Sequence, residues 1–194
     1  MSDRPFHHGN LRTVLLDRAE QTLLERGADE LSLRELAREA GVSHGAPRSH
    51  FIDRKSLLDA LAERGFVRLA SEMRAAADEG ATFADALRRS ARAYVEFASM
   101  NAALLDLMFA AKMDNPPDSL VAAAEQLFAT ISEIMSRGVN DGTFGATDLD
   151  RLTLLISATM QGISTFVGAR RVDARQGDQL IEDAIALLLS GALG

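Results

Sequence analysis

Apolar residues recur at intervals of three and four along most of the chain, and the interruptions fall on turn formers. Leu11, Val14, Leu15, Ala19, Thr22 and Leu23 mark one face of a first helix that Gly27 stops, with Asn10 as its candidate N-cap. Ser32 and Glu35 follow as an S-x-x-E pair, which predicts a capping box at the start of a second helix. Leu33, Leu36, Ala37 and Ala40 keep that helix in phase until Gly41, which takes the left-handed position that ends it. A third short helix is predicted from Ser43 or His44 to about Phe51. That start puts Pro47 at the end of the first turn, where its missing amide is still tolerated. Three helices, the last two joined by a short Gly-containing turn, make a helix-turn-helix pattern.

The pattern then lengthens. A helix of about 54–78 places Leu57, Leu58, Leu61, Phe66, Leu69 and Met73 on one side, and Gly80 breaks it. Further helices are predicted at about 82–100, 102–113, 119–139, 148–171 and 177–193, separated by Asn115-Pro116-Pro117 and Asn140-Asp141-Gly142 among other turn signals. About nine helices and no strand pattern predict an all-α fold. An N-terminal three-helix domain, residues 1–53, would precede a helical body, residues 54–194. The stretch 152–169 carries no charge, but Thr153, Ser157, Thr159, Gln161, Ser164 and Thr165 interrupt it, so it reads as a buried helix and not as a membrane span. Residues 1–10 have no apolar core of a signal peptide, and a cytoplasmic location is expected.

Composition supports helices: Ala and Leu far outnumber Val, Ile and Thr, and there are only 4 Pro in 194 residues. With no Cys, disulfides and thiolate metal sites are excluded. The formal charge of −7 at first argues against a nucleic-acid partner. It is unevenly distributed, however. Residues 1–74 are neutral and hold all 4 His, while the acidic excess lies entirely in 75–194. The acidity therefore limits non-specific binding by the body and leaves the head free to contact DNA.

Candidate chemistry concentrates in Leu31-Ser32-Leu33-Arg34-Glu35-Leu36-Ala37 and Ala40-Gly41-Val42-Ser43-His44-Gly45-Ala46-Pro47-Arg48-Ser49-His50-Phe51. Ala37 and Gly41 permit a close helix crossing, and the element after the turn presents Ser43, His44, Arg48 and Ser49 toward a major groove. An ordinary helical hairpin would not explain why that element has so few apolar residues. Gly41-Val42-Ser43-His44-Gly45 also matches a G-x-S-x-G nucleophile elbow, but that motif requires a preceding strand and here a helix precedes it. His44 and His50 lie on different sides of a helix and cannot share a metal; no metal site, cofactor or enzymatic constellation is expected.

This stretch, with Lys55 and Leu57-Leu58, resembles the N-terminal domain of the TetR family of bacterial transcriptional regulators. His7-His8-Gly9-Asn10-Leu11-Arg12 and His44-Gly45-Ala46-Pro47 are similar to one actinobacterial-type branch. The resemblance implies a homodimer that binds a palindromic operator and releases it when a small molecule enters the C-terminal domain. It also implies base-facing positions at Ser43, His44, Ala46 and Ser49, and phosphate contacts at Ser32, Arg34, His50 and Lys55. Arg48 departs from the family's usual tyrosine and can pair with phosphate or read guanine. Ala46-Pro47 replaces a usual Thr-Leu, and Ala46 suits a thymine methyl. Arg4 enters a minor groove or belongs to a free tail.

In the body, Tyr94, Phe97 and Met108-Phe109 are similar to the branch's ligand domain. With Met100, Met113, Phe128, Ile131, Met135, Met160, Gln161 and Phe166 they are candidate pocket residues, set against a plain-core reading in which Met fills gaps. Leu152, Leu155, Ile156, Thr159, Ile163 and Val167, with Leu180, Ile181, Ala184, Ile185 and Leu188, form candidate dimer faces for a four-helix interface. The expectation is a dimeric repressor that binds double-stranded DNA and is released by a small apolar or amphipathic effector. The alternative is a helical small-molecule-binding protein that has lost operator binding.

Overall fold

A computed structural model describes residues 11–145 and 149–190. Asn10, the segment containing Arg4, His7, His8 and Gly9, and the predicted helix ends at Asp148 and Leu193 lie outside the described residues. Among the described residues there are eight α-helices and no strand. They are α1 (Leu11–Arg26), α2 (Leu33–Glu39), α3 (Arg54–Asp78), α4 (Phe83–Met100), α5 (Ala102–Met113), α6 (Asp118–Asn140), α7 (Leu149–Gly168) and α8 (Ala174–Leu189). Two 3-10 turns, Ala28–Glu30 and Ala46–Ser49, complete the order. None of the helices is long and apolar enough to cross a membrane.

The chain forms two compact units. The first takes the described residues through Gly65 together with Ala103–Val121. Its core gathers Leu15, Leu23, Leu31, Leu36, Phe51, Leu57, Leu61, Leu104, Met108 and Leu120, all fully buried. Gly65 lets α5 approach closely there: a Cβ would meet Met108 Sδ at 2.6 Å, so the methionine side chain would have to move. Arg64 ties α3 to α1 by donating to Asp17 Oδ1 at 2.6 Å and to the Leu16 carbonyl at 2.9 Å.

The second unit takes Phe66–Ala102 and the described residues from Ala122 onward. Helices α4, α7 and α8 pack on one another, and Arg88 and Arg92 of α4 both donate to Glu182 of α8 at 2.9 and 2.8 Å. The Thr82 hydroxyl caps α4 by accepting from the Asp85 amide at 3.2 Å. Helix α3 contributes its first half to one unit and its second half to the other.

Three local expectations are corrected. The third helix of the head is a four-residue 3-10 turn: Gly45 precedes it, Pro47 has no amide to donate, and the amides of Ala46, Arg48 and His50 each reach back three residues. Ser32 occupies the N-cap of α2 with extended backbone, yet its side chain makes no capping bond. Glu35 is held instead by Arg38, one turn on, and this charge-assisted pair lowers the Glu35 carboxyl pKa. Helix α8 begins at Ala174 and not Gly177, because Asp173 and Gln176 form a reciprocal capping box. The stop of α2 is as expected: Gly41 sits at φ 68°, and the Val42 and Gly41 amides bond Ala37 and Arg38 carbonyls, the Schellman arrangement.

Candidate functional site

The head is built to expose a short polar turn on a small apolar anchor. Helices α1 and α2 and the turn Ala46–Ser49 pack pairwise. Pro47 and Phe51 enter the core, and the Phe51 amide bonds the Pro47 carbonyl at 2.9 Å. The polar residues next to these two anchors stay largely outside. Ser43, His44, Arg48 and Ser49 are exposed, as are Ser32 and Arg34 at the start of α2; Ala46 and His50 are half-buried. The Ser49 hydroxyl donates to the Ala46 carbonyl at 2.8 Å, so its oxygen faces solvent as an acceptor. Neither Arg34 nor Arg48 makes an ion pair with a described residue.

Lys55 is placed differently. Its ammonium lies 3.0 Å from both carboxylate oxygens of Asp59 and 3.5 Å from the Asn115 carbonyl, where Asn115 adopts φ 45° between α5 and α6. A phosphate at Lys55 would therefore compete with Asp59. One cation escaped the sequence reading. The Arg12 guanidinium sits 5.5 Å from the centre of the Phe51 ring. The only sequence signal for it was its place in the His-His-Gly-Asn-Leu-Arg run.

The second unit holds a cavity. Met73 of α3, Leu87, Ser90, Ala91 and Tyr94 of α4, Ile131 and Ile134 of α6, and Ile156, Ser157 and Met160 of α7 line it. It encloses about 20 Å³, somewhat more than one water molecule requires. The Tyr94 hydroxyl donates to Gln161 Oε1, and burial pushes the phenol pKa up to about 12. None of the described residues that line the space is charged.

Of the candidate pocket residues, Tyr94, Ile131 and Met160 line this cavity and Gln161 is bound to one that does. The others do not line it. Phe97 is buried with Arg68 4.8 Å over its ring, and Met135 is buried elsewhere on α6. Met108 belongs to the first unit, against Gly65, and Phe109 is turned about 100° from it around α5, to the exposed side. Phe128 and Phe166 are each 44% exposed, the latter beneath Arg171, and Met100 and Met113 are exposed as well. Sequence reading missed Ser90, Ala91 and Ser157, whose small side chains leave the space open.

The candidate dimer residues divide in the same way. Leu152, Ile156, Ile163, Ile181, Ile185 and Leu188 are buried within the subunit, Thr159, Val167 and Ala184 are half-buried, and Leu155 and Leu180 are exposed. The outward apolar residues of α7 and α8 are Leu154, Leu155, Phe166, Leu180 and Leu187. Among the described residues no cluster of His, Asp and Glu could hold a metal ion.

Two family models match the chain. Residues 15–61 match the bacterial regulatory proteins of the tetR family, and residues 87–188 match the Tetracyclin repressor-like C-terminal domain. A solved structure of a protein of unknown function from Rhodococcus sp. RHA1 is 40% identical, with a TM-score of 0.89 over 97% of this chain and 98% of that one. A tetR-family regulatory protein from Rhodococcus RHA1 shares the fold at 19% identity, with a TM-score of 0.71 over 93% and 95% of the two chains. So does the TetR family transcriptional regulator PfmR from Thermus thermophilus, at 20% identity and a TM-score of 0.68 over 91% and 97%. No curated protein matches the sequence.

Proposed function

The chain belongs to the tetR family of bacterial regulatory proteins, and from that premise we propose a homodimeric repressor that binds a palindromic operator and leaves it when a small molecule occupies the cavity. The observation that carries this reading is the exposed polar turn held between Pro47 and Phe51. In this reading Ser43 and His44, exposed just before the turn, and Ser49 within it are the base readers, and Ala46 is an apolar contact to thymine. Arg48 supplies a bidentate fork for guanine or phosphate. Ser32, Arg34, His50 and Lys55 complete the phosphate contacts, and Arg12 joins them as a further cation beside the turn.

Two such turns must lie about one helical repeat apart, ~34 Å, to enter successive major grooves. A second copy supplies the other, docked through the outward residues of α7 and α8. Because α3 belongs to both compact units, a ligand that favours one arrangement of its second half shifts the population available for DNA. We place this activity in the cytoplasm, with residues 1–53 as the reader and 54–194 as the sensor and dimer body.

The test is a gel-shift titration on DNA upstream of the protein's own gene. Retention of a palindromic sequence, weakening steeply with salt, is expected. Failure to retain that DNA, or any sequence from a random pool, would overturn the operator reading and leave a helical small-molecule-binding protein.

A further inference from the structure

The cavity of the second unit carries a chemical preference that follows from the direction of its hydrogen bonds. Three hydroxyls line it, and each proton is already committed to the protein. Ser90 donates to the Leu87 carbonyl at 3.0 Å, Ser157 donates to the Thr153 carbonyl at 2.7 Å, and Tyr94 donates to Gln161 Oε1. A hydroxyl has one proton and two lone pairs, so what remains for a guest is acceptor capacity alone. The rest of the lining is aliphatic or thioether.

Charge is excluded by the same inventory. An anion would find no free donor, and a cation would find no carboxylate among the lining residues. A polar group that only accepts, such as an ether or ester oxygen, would be buried facing other acceptors. A guest larger than a water molecule requires the lining to give way, and Met73 and Met160 are the lining side chains whose unbranched form re-packs most readily.

We propose that the effector is a small, uncharged, largely aliphatic molecule carrying a hydrogen-bond donor, an alcohol being the simplest case, and that Ser90, Ser157 and the Tyr94 oxygen select the donor. This inference rests on the reading of the cavity as the effector site.

The test uses the full chain and four cyclic probes of similar shape: cyclohexanol, methoxycyclohexane, methylcyclohexane and cyclohexanecarboxylate. Binding is measured by calorimetry, and by the emission of Tyr94, which is the single tyrosine of a chain without tryptophan. Cyclohexanol is expected to bind at least tenfold more tightly than the ether, and the carboxylate not at all. Replacing Gln161 by Leu frees the Tyr94 proton, so Gln161→Leu should bring the ether up to the affinity of the alcohol. Ser157→Ala, which removes one acceptor, should weaken the alcohol several-fold and leave the ether unchanged. An ether that matches or exceeds the alcohol in the unaltered protein would overturn the donor preference. Tightest binding of the carboxylate would overturn the neutral class. In both cases the cavity would stand as the effector site. Silence from all four probes would overturn the site itself, and the preference with it.

Discussion

The two compact units place their polar groups on opposite sides of an apolar frame. In the first, Pro47 and Phe51 are inside and Ser43, His44, Arg48 and Ser49 are outside. In the second, Tyr94, Ser90 and Ser157 are turned into a cavity among Ile, Leu and Met side chains. The outward arrangement suits a large, charged, hydrated partner, whose phosphates and base edges exchange water for protein donors. The inward arrangement suits a small, mostly apolar guest. The net charge of −7 is divided along the sequence and not between the units: residues 1–74 are neutral, and the acidic excess lies in 75–194, part of which, Ala103–Val121, packs with the head.

The contrast can be broken most severely at Phe51. Truncation to Ala removes a fully buried ring, and about 3–5 kcal/mol of stability should be lost in urea unfolding, together with DNA binding. Intact stability would show that the turn has another anchor. The next effect belongs to the cavity. The Tyr94 phenol is held neutral, with its pKa pushed from 10.0 up to about 12. Between those values the unfolded chain loses the proton and the folded one keeps it, so stability falls as pH rises through this window and is fully present below it. The loss should approach about 2–3 kcal/mol, and Tyr94→Phe should abolish that component. Absorbance of the single tyrosine gives the folded pKa directly, and a midpoint near 10 would contradict burial of the hydroxyl.

A smaller effect is expected at Thr82, whose hydroxyl caps α4. Thr82→Ala should cost about 1 kcal/mol of stability and leave DNA affinity unchanged, because the cap belongs to the second unit and not to the one that carries the exposed turn. The smallest concerns Lys55. If Lys55 exchanges Asp59 for a phosphate, Lys55→Ala should lower the salt slope of DNA binding by about 1. An unaltered slope would mean that the Asp59 pair persists on DNA.

The two regions also differ in how far the sequence foretells them. The head is written in one contiguous stretch, so the Gly41 stop and the exposed Ser43, His44, Arg48 and Ser49 could be read in order. The 3-10 form of the turn was missed because Pro47 was weighed against an α-helix only, when Gly45 and Pro47 together favour the tighter turn. The Ser32–Glu35 box failed because Arg38 competes for the same carboxylate. The cavity is assembled from four helices whose relative phases no local pattern fixes. Selection by residue type found Tyr94, Ile131 and Met160, but it also drew in Phe128 and Phe166, which face outward. Ser90, Ala91 and Ser157 escaped because space is made by small side chains, which give no apolar signal. On α7 and α8 the strongest periodicity marks the stripe buried within the subunit, Ile156, Ile163 and Ile185 among it, while Leu154 and Leu187 are exposed apolar residues that the periodicity does not single out.

The most direct test of outward recognition is a parallel measurement on Arg48→Ala: affinity for the retained operator by fluorescence anisotropy, and thermal stability of the same sample. Arg48 is exposed and makes no ion pair with a described residue, so its removal should leave the melting temperature within experimental scatter. Losing one fork to base or phosphate should weaken operator binding by about 1–3 kcal/mol, roughly tenfold to a hundredfold. Undiminished affinity at unchanged stability would contradict the assignment of this turn as the DNA reader.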